Sequence, residues 1–199
     1  MKKAFILLLS FSLFSFTLFK MAPIPQYENA LYADVIFHGK ISKVDSLGFS
    51  VKISEAVLNT SSNAKLLKQK EIYIPNDMTK RKPGRYSYGP IPKVGDVQIF
   101  TMKYEDKTKK LLPINRNFGI PIFADKKDSC YINGYGNSNL IDYKTVIKAI
   151  KLLHQCYATK NGIIKSKVSQ VELQKMKAKN TALKLWIETI EQRNGNLKK

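Results

Sequence analysis

From Ala33 to Val44, ADVIFHGKISKV, apolar residues recur on both sides of an alternating run. Val35, Phe37, Gly39, Ile41 and Lys43 share one side, and Ile36, His38, Lys40, Ser42 and Val44 the other. Neither side is wholly polar, which suits a strand in a curved, barrel-like sheet. DSLG then reads as a turn, and FSVKISEAV alternates cleanly, with Phe49, Val51 and Ile53 inward and Ser50, Lys52 and Ser54 outward. The pair predicts a hairpin. After the polar stretch LNTSSNAK come EIYIP, VQIFTMKY, a turn around Glu105 to Thr108, and KLLPI, which brings the strand candidates to five. The span from Arg116 to Asp128 reads as irregular because Gly119 and Pro121 limit regular structure, and CYI is at most a short strand.

The period changes after NGYGNSN. Tyr143, Val146, Ile147, Ile150, Leu153 and Tyr157 recur at three- and four-residue steps while Lys144, Lys148 and Lys151 take the opposite face, which predicts an amphipathic helix with Ser138 or Asn139 as its cap. A KNG break follows. In the last segment Leu173, Met176, Asn180, Leu183, Ile187 and Ile190 fall at heptad steps, and Trp186 widens the stripe. The stripe covers fewer than three heptads, so it serves either its own domain or a partner, and Leu173, Met176, Leu183, Trp186, Ile187 and Ile190 are the partner-helix candidates. The expected fold class is α+β: a small five-stranded barrel over residues 26–139, a helix packed on it over 140–158, and an amphipathic C-terminal helix over 165–194.

The first twenty residues, MKKAFILLLSFSLFSFTLFK, place Lys2 and Lys3 before the uncharged run Ala4 to Phe19. That is the pattern of an export signal, and the run falls short of the ~20 residues that a spanning helix needs. The cleavage signal is poor, since Lys20 precedes Met21-Ala22 and Pro23 follows, so a signal anchor stays open beside a cleaved peptide. Export to the periplasm or medium is the expected location, with membrane attachment only through an uncleaved signal. The remaining chain, roughly 175 residues, is long enough for one domain with a real core.

Charge is uneven. The net charge is +19, with +7 between Met21 and Asn139 and +9 between Leu140 and Lys199. A basic exported chain is drawn to anionic surfaces such as phospholipid head groups, acidic polysaccharide or nucleic acid released outside the cell. The cations concentrate in TKRKPGRYSYGPIPKVGD, where Lys80, Arg81, Lys82 and Arg85 stand beside Tyr86 and Tyr88 in a run broken by Pro83, Gly84, Gly89, Pro90 and Pro92. These six residues are the candidate site for an anionic partner. Stacking on single-stranded nucleic acid is disfavoured, because export separates the chain from most nucleic acid and the tyrosines lie in a turn-rich loop rather than interleaved along strands.

Cys130 and Cys156 are the two cysteines. In an oxidising compartment pairing is the default, and a bridge would close a loop of about 26 residues, contributing roughly 3 to 4 kcal/mol on the chain-entropy account. A buried reduced thiol and an intermolecular bond are the competing readings. Catalytic chemistry is hard to assemble: His38 and His154 are the two histidines, neither forms a ligand pair, and there is no Cys/His cluster. GYG, from Gly134 to Gly136, lacks the remaining residues of a phosphate loop. No cofactor, metal or catalytic residue is expected.

The strand segments ENALYADVIFHGKISKV, FSVKISEAV and KPGRYSYGPIPKVGDVQIFTM resemble the netrin-like module of the tissue inhibitors of metalloproteinases, as it occurs in exported bacterial proteins. The resemblance rests on Ala33, Asp34, Val35, Gly39, Gly84, Tyr86, Gly95 and Ile99, and covers Glu28 to Tyr104. It implies a five-stranded barrel of the oligonucleotide/oligosaccharide-binding (OB) shape. Metalloproteinase inhibition in that family looks to depend on an amino-terminal cysteine, yet no cysteine precedes Cys130, and Pro83 stands where a cysteine usually precedes the Gly84-like glycine. Only the scaffold carries over. The expected function is a non-catalytic binding module for a protein or anionic cell-surface partner. Inhibition of an extracellular hydrolase and binding of single-stranded nucleic acid or oligosaccharide are the alternatives.

Overall fold

The computed structural model describes residues 25–75, 92–114, 118–134, 138–160 and 162–196. Residues 1–20, expected to be an export signal, and the Lys80–Tyr88 cluster lie outside the described residues. The chain is α+β, with a mostly antiparallel sheet and, among the described residues, four helices.

The predicted hairpin forms from β1 (Val35–Val44) and β2 (Gly48–Asn59). Its turn is fixed by Asp45, whose carboxylate accepts the Leu47 N–H at 2.8 Å while its own N–H donates to the Gly48 carbonyl at 2.9 Å. The ladder shifts register at Ile36/Phe37, His38/Gly39 and Ile41/Lys43, and such bulges bend and twist a strand. Gly39 sits at one of them for a steric reason. A Cβ there would stand 2.6 Å from the Lys52 carbonyl oxygen and 2.7 Å from a Val51 methyl.

β3 (Glu71–Pro75) adds to β2, and β4 (Val97–Glu105) adds to the other side of β1. β4 is shared: β6 (Gly119–Ile122) pairs with its first half and β5 (Lys110–Pro113) with its second. The sheet therefore has six strands in the order β3-β2-β1-β4-β5, with β6 beside β5 on β4. β6 occupies the span expected to be irregular. It pairs with β4 alone, so Pro121 sits in an edge strand, where a missing N–H is tolerated. The sheet curls until β3 and β5 approach, but no ladder joins them.

Strand alternation sorts two apolar clusters across this sheet. On the inner face Val35, Phe37, Phe49, Val51, Ile74, Phe100 and Met102 are buried together, with Phe37 stacked on Phe100 at 5.0 Å and Phe49 edge-on to Phe118 at 4.9 Å. On the outer face Ile36, Ile99, Ile120 and Ile122 meet the helices.

α1 (Gln26–Tyr32) buries Tyr27, Ala30 and Leu31 against that outer face. β7 (Ser129–Asn133) and β8 (Ser138–Asp142) form a separate two-stranded ribbon. The ribbon displaces the expected helix start, since Ser138 and Asn139 are strand residues. Asp142 is instead the cap of α2 (Tyr143–Cys156), accepting the Thr145 N–H at 2.9 Å. α2 buries Val146, Ile147, Ala149, Ile150, Leu153 and Cys156, close to the predicted stripe. A short hairpin, β9 (Tyr157–Lys160) with β10 (Ile163–Ser166), replaces the simple KNG break.

The continuous helix expected over 165–194 is two helices, α3 (Gln170–Lys179) and α4 (Thr181–Asn196). Ser169 and Glu172 form a capping box at the start of α3. Asn180 ends it: its side chain accepts the Leu183 N–H at 3.0 Å and donates to the Thr145 carbonyl at 2.9 Å. A polar residue at a heptad position is thus the cap of the next helix and its tie to α2.

Candidate functional site

The partner-helix expectation is corrected by burial. Leu173, Leu183, Trp186, Ile187 and Ile190 are all buried in one cluster with α1, α2 and the outer sheet face, and the partly buried Met176 packs against it. The apolar stripe belongs to the protein's own core. Arg193 reinforces this by pairing with Glu28 of α1, a residue far away in sequence.

The bridge expected between Cys130 and Cys156 is not present, and both are free, buried thiols in the same outer cluster. Burial removes solvation from a thiolate and pushes the Cys130 thiol up to about 12, with the nearby Asp142 carboxylate adding to the effect. Burial also raises Cys156, against the Lys167 ammonium. Neither is activated as a nucleophile.

Both histidines are engaged. His38 packs against Tyr143 with the rings tilted by 32° and their centroids 4.7 Å apart, and burial lowers its pKa although Glu55 and Asp128 oppose this. The His154 Nε2 lies 2.9 Å from the Ala30 carbonyl oxygen, so it carries the proton and donates, while burial lowers that ring's pKa as well. Among the described residues no group of three or more His, Cys, Asp or Glu could hold a metal ion. No described helix is long and apolar enough to cross a membrane.

Among the described residues two surfaces offer chemistry that a partner can use. The first is the outer face of α2, where Lys144, Lys148 and Lys151 recur at helical spacing and are exposed. Lys151 reaches Glu55 at 3.2 Å, whereas Lys144 and Lys148 form no ion pair with a described carboxylate. Lys144 also lies in the first turn of α2, which contains no acidic residue. The nearest acid, Asp142, is held below its usual range by the helix N-terminal hydrogen bonds around Thr145, with Lys144 adding to the depression.

The second surface is a cleft of about 560 Å³ between β8 and α4. Asn139, Leu140, Ile141 and Asp142 line one wall, and Thr181, Lys184, Leu185 and Glu188 the other. Four consecutive strand residues border it. Since successive side chains point to opposite faces, that pattern places the cleft along the edge of β8 rather than over one face. Sequence reasoning missed this cleft because its walls lie some forty residues apart, although Asp142 immediately before the first apolar helix position was a usable cap signal.

No family model matches the chain, nor does any curated protein or solved structure.

Proposed function

We propose that the protein is an exported, non-catalytic binding module that takes an anionic partner on the basic outer face of α2. The observation that carries the reading is the unpaired Lys144–Lys148 stripe. Like charges at i,i+4 cost a helix a few tenths of a kcal/mol, and a cation in the first turn also opposes the helix dipole. Neither lysine makes an ion pair with a described carboxylate, and the one charge interaction Lys144 has, with the Asp142 cap, leaves Lys148 uncompensated. An anionic partner would relieve both costs. The loop cations Lys80, Arg81, Lys82 and Arg85, with Tyr86 and Tyr88, belong to the same proposal on sequence grounds, and the first twenty residues supply the case for export.

The scaffold we propose is an open relative of the OB-like barrel. The strand order β3-β2-β1-β4-β5 and the approach of β3 to β5 support it, as do the bulges that curve β1. The netrin-like likeness rests on its short residue matches.

Dextran sulfate is the test ligand. Wild-type protein is expected to bind it with an affinity that falls steeply with salt, because exposed charges are screened beyond ~8 Å at physiological ionic strength. The double substitution Lys144→Glu with Lys148→Glu should weaken binding roughly tenfold, given that each exposed pair contributes up to about 1 kcal/mol. Equal affinity of the double variant and the wild type would overturn the assignment to α2.

A further inference from the structure

The ribbon β7–β8 has two outer edges, and the protein treats them differently. The Tyr143 N–H donates to the Asp128 carbonyl at 3.1 Å. In the register Cys130↔Ile141 and Ile132↔Asn139, the pairs that exchange hydrogen bonds alternate from that point. Leu140 therefore turns its N–H and C=O away from β7. By the same alternation Tyr131 and Asn133 turn theirs away from β8, and both are taken: the Gln26 side chain donates to the Tyr131 carbonyl at 2.9 Å and accepts the Asn133 N–H at 3.0 Å. One side chain thus closes the β7 edge, as a neighbouring strand would. Among the described residues nothing pairs with the β8 edge, which opens into the cleft instead, and Leu140 is 47% exposed there.

We infer that the open edge of β8 is a docking site for an extended, acidic peptide segment of a partner protein, added as a third strand beside α4. This deepens the binding-module reading above and rests on it. Strand addition needs unpaired backbone groups and room for a chain about 4.8 Å away, and the cleft provides both. Charge selects the occupant. The chain as a whole carries +19, which favours an acidic occupant, and within the cleft Lys184 is the cation that can receive its carboxylate, beside the ionised Asp142 and the Glu188 carboxylate. Glu188 lies one helical turn from Lys184, so the peptide carries its acid at the Lys184 end and not along its whole length. A second copy of this chain is the poorer occupant, because each copy carries +19.

The probe is the blocked pentapeptide Thr-Val-Glu-Val-Thr, compared with its Lys-centred analogue and with a version N-methylated at alternate backbone amides. Amide hydrogen exchange on the full chain reads the Leu140 N–H, and a dextran sulfate titration runs on the same sample. The acidic peptide should slow Leu140 exchange at least tenfold at saturation, and the N-methylated peptide should bind roughly tenfold more weakly, having lost strand hydrogen bonds. Lys184→Glu should cost about threefold and shift the preference toward the Lys-centred peptide. Leu140→Pro should abolish binding, since a proline is tolerated at an edge position but offers no N–H. Should that variant fail to fold, the N-methylated peptide makes the same discrimination on the unmodified chain. Equal binding of the N-methylated peptide overturns the inference, as does Leu140 protection that needs no peptide and grows with protein concentration. Intact dextran sulfate binding with no peptide effect sinks this inference alone, whereas loss of both sinks the binding-module reading.

Discussion

Replacing Asn180 by leucine separates two accounts of the last thirty residues. If a continuous heptad helix ran from α3 into α4, leucine would complete its apolar stripe and stabilise it, by up to about 2 kcal/mol for a buried side chain. In the structure Asn180 is 6% exposed and makes two specific bonds, as acceptor for Leu183 N–H and donor to the Thr145 carbonyl. Loss of the cap costs about 1 kcal/mol, and loss of the second bond about another 1 kcal/mol. For a chain of this size about 2 kcal/mol corresponds to a fall of roughly 4–8 °C in Tm. Asn180→Asp keeps the acceptor and loses the donor, so about half the cost is expected. The reporter is intrinsic: Trp186, the single tryptophan, is fully buried on α4, and its emission follows urea or thermal unfolding. A higher midpoint for Asn180→Leu than for the wild type would refute the two-helix account.

Truncation after residue 167 removes Leu173, Leu183, Trp186, Ile187 and Ile190 from the outer cluster. At about 1.5–3 kcal/mol each, their loss approaches the whole stability of a domain, so aggregation or a non-cooperative melt is expected, and a soluble, cooperatively melting fragment would contradict it. His154 has a lowered folded pKa, so the unfolded chain binds the extra proton and stability is fully present above about pH 6.5 and lost as pH falls below it. Urea midpoints at pH 7.5 and 5.5 should differ less in His154→Gln than in the wild type; the residual difference reflects His38, whose shift has the same sign. Cys130 and Cys156 should resist alkylation in the native protein and both react after denaturation, and an intact mass showing no labelled thiol would instead indicate a bridge.

The hairpin β1–β2 was legible because both strands carry period-two alternation and Asp45 supplies its own turn chemistry. Gly39 read only as one position of the alternation, and the need for a glycine there comes from the Lys52 carbonyl on the neighbouring strand. β6 was hidden by Pro121 and Gly119, which argue against a central strand but not against an edge. The α4 stripe was visible, but apolar spacing is the same whether a helix faces its own sheet or another chain. Its true neighbours, among them Ile150 and Cys130, come from distant segments. The cleft and the open β8 edge depend on register between strands and on a helix forty residues on, which no local pattern reveals.

Hydrogen exchange with and without dextran sulfate shows whether the basic face of α2 holds an anionic partner. Protection should centre on the segment from Tyr143 to Lys151, fade as salt is raised, and vanish in the variant carrying Lys144→Glu and Lys148→Glu. Protection that spares this segment, or binding indifferent to salt, would contradict the account.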